Sequence, residues 1–261
     1  MGSRHQKMLV FRELTMTSAG YLIRNTLLNA ASESSFGSLR GALQQVNLPS
    51  GTVLIRAGEK TTHVFFIETG IASNLLRMTD GRDVEILQTG FEGLIGGHAV
   101  SAAASTPYRT VMATDGAALR LSVREFHAVV NHHRTLQQML ERYAYCRELQ
   151  LAQLSVSCLS HRLNVRVARW LLMCRDRMPS GVLPFTHDFI ASCLGTRRAG
   201  VTNELHILEG MHAIKASRGV IEIRDAQPIR RVAGNSYGLP EKEYRRLILP
   251  LAKASRKISV N

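Results

Sequence analysis

Phe185–Gly210, FTHDFIASCLGTRRAGVTNELHILEG, decides how this chain is read. Phe189, Ile190 and Leu194 recur on one face of a first helix, and Val201, Leu205 and Leu208 on one face of a second, so the two faces can share a core. Thr186 is a good N-cap, and Asp188 in the first turn suits the positive end of the helix dipole. Ala191 is small where the second helix must cross closely. Gly195 can take the left-handed conformation that ends the first helix, and Gly195-Thr196-Arg197 has the length of a helix-turn-helix turn. Arg197, Arg198, Gly200, Thr202, Asn203 and His206 are left facing away from the core. Arginine can donate to guanine O6 and N7, asparagine pairs with adenine, and threonine touches the thymine methyl. The same pattern fits an ordinary solvated helix pair, so the flanking sequence has to arbitrate.

Beyond Gly210 the chain reads as strand, tight turn, strand: Met211 to Lys215, Ala216-Ser217-Arg218-Gly219, then Val220 to Arg224. Such a hairpin after a helix-turn-helix is a wing. Ser217 and Arg218 at its tip offer a hydroxyl and a guanidinium, groups that hold phosphate without reading sequence. Charge favours the same end. The chain carries 33 Lys and Arg against 20 Asp and Glu, and from His161 onward the count is 18 against 8, so most of the +13 excess lies beside the helix pair. A polyanionic partner is expected, with the basic segment Lys242–Lys257 adding phosphate attraction.

Other classes fit poorly. No run of about 18 apolar residues is present, and Met1–Ala30 lacks a signal-peptide pattern, so a cytoplasmic protein without a membrane partner is expected. Cys146, Cys158, Cys174 and Cys193 lie far apart with no CxxC spacing, which argues for reduced thiols and against a disulfide framework or zinc site. GxSxG, P-loop and HExxH motifs are missing and the ten histidines show no metal-ligand spacing, so neither an enzyme nor a resident cofactor or metal is expected.

The chain is long enough for two domains. Between Leu48 and Ser122, β-branched runs (Val53–Ile55, Val64–Ile67, Ala72–Arg77, Val84–Leu87) alternate with glycine turns, the signature of a sandwich, jelly roll or barrel. A helical piece, Asn25–Val46, is predicted before it. From Glu125 to Met178 the pattern is helical. Leu136, Leu140, Tyr143, Arg147, Leu151, Leu154 and Cys158 form a stripe at three- and four-residue steps. The stripe fits either a two-helix homodimer seam or packing on the chain's own β domain. A further helix, Leu163–Met173, brings Trp170, Leu171 and Leu172 to the C-terminal core.

In this order, LPSGTVLIRAGE at Leu48–Glu59, FFIETG at Phe65–Gly70, ARWLL at Ala168–Leu172, LGTRR at Leu194–Arg198 and the wing resemble the Crp–Fnr family of bacterial transcription regulators. The resemblance spans Asn25 to Arg231. It implies an α+β architecture: an N-terminal extension (1–24), a cyclic-nucleotide-binding-like β-roll (25–130), a dimerisation helix (131–160), a winged helix-turn-helix domain (161–234) and a basic tail (235–261). It also implies a homodimer that binds double-stranded DNA at a palindromic promoter site and acts on RNA polymerase. By this comparison Arg198, Thr202 and Asn203 sit at base-reading positions, Arg197 at the helix entry, and Thr186, His187 and Ser217 at phosphate-facing positions.

The departures are as informative. In relatives that bind cyclic AMP, a Gly-Glu pair opens a short helix and an Arg-Ser or Arg-Thr follows, so that helix N–H groups and an arginine hold the phosphate while the glutamate takes the ribose hydroxyl. Here the stretch reads Gly96-Gly97-His98, with Arg109-Thr110 as the second half. The missing carboxylate argues against control by cyclic AMP and leaves any small-molecule effector unidentified. The scattered cysteines argue against an iron–sulfur cluster. Ala199 replaces a common acidic residue after the recognition arginine, predicting a different DNA target, and Glu204 falls where an apolar residue often sits. The alternative function is a small-molecule sensor that governs a protein partner without specific DNA binding.

Overall fold

The computed structural model describes residues 22–101 and 103–251. Two short helices, α1 (Thr26–Ala30) and α2 (Glu33–Arg40), lead into β1 (Gln44–Leu48), β2 (Val53–Ile55), β3 (His63–Thr69), β4 (Ala72–Arg77), β5 (Asp83–Thr89), β6 (Leu94–Ile95), β7 (Arg109–Met112) and β8 (Gly116–Ser122). They form two antiparallel four-stranded sheets, ordered β1-β8-β3-β6 and β2-β7-β4-β5. The period-two geometry of a strand explains how the core divides. On β3, Phe65 and Ile67 face the inter-sheet core with Leu48, Ile55 and Met112, whereas Val64 and Phe66 face a second core beneath the helices.

That second core is closed by α3 (Val123–His132) and the long α4 (Arg134–Ser160). Ser122 and Glu125 form a capping box that fixes the start of α3. Leu136, Leu140 and Tyr143 on α4 are buried against Phe126, Leu94 and the N-terminal helices of their own chain. The Tyr143 hydroxyl accepts from Leu94 N–H (3.2 Å), and Arg147 Nη1 donates to Thr89 Oγ1 (2.6 Å). The first half of the stripe, Leu136 to Arg147, therefore belongs to the β-roll, whereas Leu151 and Cys158 are exposed.

The C-terminal part contains α5 (Leu163–Arg177), β9 (Val182–Leu183), α6 (His187–Cys193), α7 (Arg198–Gly210), β10 (Ile214–Ser217), β11 (Val220–Ile223), α8 (Ala226–Ala233) and α9 (Leu239–Leu247). Its core gathers Val167, Leu171, Phe185, Ile190, Val201, Leu205 and Ile229 around Trp170. It docks on the β-roll through β5. Trp170 Nε1–H donates to Glu85 Oε1 (2.8 Å), and the same carboxylate also accepts from Ser73 Oγ (2.5 Å) and Gln88 Nε2 (2.8 Å). Beside this network the buried Arg177 is paired with Glu92 (2.7 Å), and Ser192 Oγ donates to the Asp83 carbonyl (3.1 Å).

Two expectations about the elements at the two ends of the chain are corrected. Asn25–Val46 is not helical throughout: Gln44–Leu48 is a strand, held by antiparallel pairing with Gly116–Arg120. Nor are residues 239–247 a free basic tail. Pro240 and Glu241 start α9, which lies on α4; Tyr244 donates to the Glu92 carbonyl (2.6 Å) and the following Ile248 is fully buried in the β-roll core. Residues 1–21 of the N-terminal extension and 252–261 of the tail lie outside the described residues.

Candidate nucleic-acid interface

The helix pair is built by local chemistry. Thr186 Oγ1 accepts from Phe189 N–H (3.1 Å) as the N-cap of α6, and Gly195 ends that helix with φ +59° while Thr196 N–H returns to the Ala191 carbonyl (2.9 Å). Arg166 fastens the turn by donating to the Leu194 carbonyl. Val201, Leu205 and Leu208 are buried, so the register of α7 is fixed by its apolar face. Arg197, Arg198, Ala199, Asn203 and His206 are exposed on the remainder. Arg197 is the N-cap residue of α7 without a side-chain capping bond, which leaves its guanidinium at the helix entry.

Not every residue named from sequence is equally open. Thr202 is half-buried, and its hydroxyl shares a hydrogen bond with His187 Nδ1 (2.9 Å), joining one base-reading candidate to one phosphate-facing candidate. Arg198 lies 3.5 Å from Asp188 across the helix pair, both largely exposed, a contact that solvent screens heavily. Gly200 does not face away: a Cβ there would stand 2.7 Å from Leu163 Cδ2, so the glycine lets α7 approach α5. Glu204 is half-buried at the margin and leaves the apolar face of α7 intact.

The wing is a hairpin with a two-residue turn, Arg218-Gly219, between Ser217 and Val220; β9 adds a third strand through Leu183 and Ile221. Ser217 and Arg218 are exposed at the tip. Glu209, near the end of α7, accepts from Ala216 N–H (2.7 Å) and ties that helix to the hairpin.

The effector candidates are drawn into internal contacts. Gly96 precedes a 3-10 helix, Gly97–Ser101, in which His98 Nε2 meets Thr61 Oγ1 (2.9 Å), and burial holds the His98 pKa below its usual value. Arg109 is paired with Asp83 of β5 (2.5 Å), and Thr110 Oγ1 donates to Asn74 Oδ1 (3.0 Å). The two halves of the cassette are thus held by different neighbours. Among the described residues no group of three or more His, Cys, Asp and Glu is placed to hold a metal ion, and no helix is long and apolar enough to cross a membrane.

A β-roll followed by a winged helix-turn-helix has a counterpart among known families. A model described as a cyclic nucleotide-binding domain matches residues 45–133, and one described as a Crp-like helix-turn-helix domain matches residues 165–232. The chain belongs to the Crp–Fnr family. Several solved structures share its architecture. FixK2 from Bradyrhizobium japonicum is 14% identical, with 74% of this chain and 98% of that chain covered and a TM-score of 0.64. A CooA mutant from Carboxydothermus hydrogenoformans is 16% identical, with coverage of 85% and 98% and a TM-score of 0.58. The c-di-GMP-responsive regulator CLP from Xanthomonas campestris is 14% identical, with coverage of 73% and 98% and a TM-score of 0.56. At these identities the likeness establishes the fold alone. Comparison with curated proteins found no match by sequence.

Two features escape the sequence reading. One is the Glu85–Trp170 network, because a single glutamate within a strand carries no positional signal. The other is the outer face of α4, where Tyr145, Leu149, Ala152, Val156 and Leu159 follow a 4-3-4-3 spacing; Tyr145, Val156 and Leu159 are 44%, 54% and 87% exposed. The heptad spacing is present in the sequence, but the inner stripe is the more apolar of the two and draws the assignment.

Proposed function

We propose that this Crp–Fnr protein is a sequence-specific DNA-binding transcriptional regulator that acts as a homodimer on an inverted repeat. The observation that carries the reading is the division of α7: Val201, Leu205 and Leu208 fix its register inside the domain, while Arg197, Arg198, Asn203 and His206 are left in solvent. Arg198 and Asn203 carry direct base readout, Thr202 contributes from its bond with His187, and Thr186, Ser217 and Arg218 supply phosphate contacts. Two such helices enter successive major grooves about 34 Å apart.

The dimer seam in this proposal is the outer face of α4, Tyr145-Leu149-Ala152-Val156-Leu159, with Leu151 at its flank. Leu136, Leu140, Tyr143 and Arg147 are already engaged within their own chain, and Leu154 lines a cavity against α5. Heptad spacing on an exposed helix face is the pattern that knobs-into-holes pairing requires. Bound at a promoter, the dimer recruits or obstructs RNA polymerase.

Cyclic AMP does not control the protein in this reading. The residue after Gly96 is glycine, which has no side chain to accept from a ribose hydroxyl, and Arg109 already neutralises Asp83. The test is Arg198→Ala. Loss of a good bidentate contact removes about 1–3 kcal/mol of discrimination between specific and random duplexes. Unchanged discrimination in a competition binding assay overturns the assignment of α7.

A further inference from the structure

Where the winged-helix domain docks on the β-roll, the two border a partly open cavity of about 80 Å³. Glu85 of β5 lines it on one side, Gln150 and Leu154 of α4 on another, and Arg169 and Trp170 of α5 on a third. Arg169 is only 5% exposed, and among the described residues it forms no hydrogen bond and no ion pair within 4 Å. Its guanidinium stays charged at any accessible pH, even though burial lowers its pKa. Gln150 is 7% exposed, and its Nε2 is buried without a partner.

Most of the wall is apolar, with Leu87, Leu154, Met173 and Leu194, and against it stand the buried positive charge of Arg169 and the unpartnered Gln150 amide. Glu85 is its one carboxylate, and that group is already engaged by Ser73, Gln88 and Trp170. Buried polar groups in native proteins are almost always satisfied, and a buried charge calls for a counter-charge. Glu241 and Glu85 act on Arg169 electrostatically, but neither carboxylate lies within 4 Å of its guanidinium, so the N–H fork is left without a direct acceptor that an anion could supply. A cavity of this size has room for a few waters or a compact solute such as phosphate or a short carboxylate.

We propose that this cavity binds a compact oxyanion, of phosphate or small-carboxylate size, with Arg169 as the forked donor and Gln150 Nε2 as a second. The site is separate from the cassette residues Gly96, His98 and Arg109. Because its walls come from β5, α4 and α5, an occupant contacts both domains at once. Occupancy favours the docked arrangement to the extent that the anion binds it more tightly than an undocked one.

The experiment uses the full-length protein without DNA, so its outcome is independent of the DNA-binding proposal. Inorganic phosphate, sulfate and acetate are titrated separately at constant ionic strength, with chloride as the background, by calorimetry and thermal unfolding. The expected result is saturable binding of at least one oxyanion at one site per chain, with a rise in Tm; the anion preferred distinguishes a phosphate from a carboxylate ligand. Arg169→Gln is expected to weaken binding by roughly tenfold or more, and Arg56→Gln, an exposed arginine on the β-roll, to leave it unchanged. If Arg169→Gln does not fold, Gln150→Leu provides the test, with a several-fold loss expected. Absence of saturable binding by all three anions overturns the proposal, as does binding that survives the cavity substitutions.

Discussion

Replacing Val156 and Leu159 together by glutamate tests which face of α4 pairs two chains. In one chain Val156 remains 54% exposed and Leu159 87% exposed. Full burial of such a side chain contributes about 1.5–3 kcal/mol, so covering the remaining fractions gives about 1 kcal/mol for Val156 and about 2 kcal/mol for Leu159. Both protomers contribute, and the two positions together supply about 6 kcal/mol of association energy. At 1.4 kcal/mol per factor of ten, that is roughly four orders of magnitude in the dimer Kd. Sedimentation equilibrium over a wide concentration range reads this directly, and urea unfolding under monomeric conditions checks that the fold survives. Leu140→Ala is the contrast: it lies in the β-roll core with Met139 and Tyr143, and its truncation costs about 2–5 kcal/mol of folding stability. A double glutamate variant that dimerises with the wild-type Kd refutes the outer-face seam. A Leu140→Ala protein that dissociates with its folding stability intact returns the seam to the inner stripe.

Two further perturbations concern buried polar groups. Glu68, which accepts from the Arg24 and Asn25 N–H groups, is almost fully buried, and desolvation raises its pKa from 4.5 to about 7. The folded protein therefore holds a proton that the unfolded chain releases. The associated stability is fully present below pH 4.5 and is lost as pH rises through 7, a change on the order of 3 kcal/mol at 1.36 kcal/mol per unit. Urea unfolding at pH 4.5 and 7.5 should show Glu68→Gln lacking this loss; an identical pH profile in wild type and variant contradicts it. Trp170→Phe keeps the ring contacts with Phe185 and Phe189 but removes one of the three donors to Glu85. A loss of about 1–3 kcal/mol in unfolding free energy is expected, and a change below about 0.5 kcal/mol shows that the bond does not support domain docking.

The helix-turn-helix is legible in the sequence because its determinants are local. Thr186, Gly195 and the spacing of Val201, Leu205 and Leu208 act within a few residues of one another, as do the turn and paired strands of the wing. Most of residues 44–48 read as helix from sequence, yet their conformation is set by β8, some seventy residues away, and tertiary pairing overrides the local pattern. The stripe on α4 announces a buried face without naming what buries it. Arg147 within that stripe is a clue, since it reaches Thr89 of the same chain. Charge counting reads Lys242, Arg245 and Arg246 as phosphate attraction and passes over Tyr244, Leu247 and Ile248, whose helical spacing docks α9 on the β-roll. In the cassette the missing carboxylate is plain in the sequence. The engagement of Arg109 by Asp83 depends on how β5 and β7 are placed in one sheet.

The central claim is tested most directly by selecting genomic fragments with the purified, effector-free protein at near-physiological salt and sequencing those retained. Enrichment of an inverted repeat whose half-sites lie about one helical turn apart is the predicted result. Retention that shows no shared motif, or no retention above that of an Arg198→Ala protein, would contradict it.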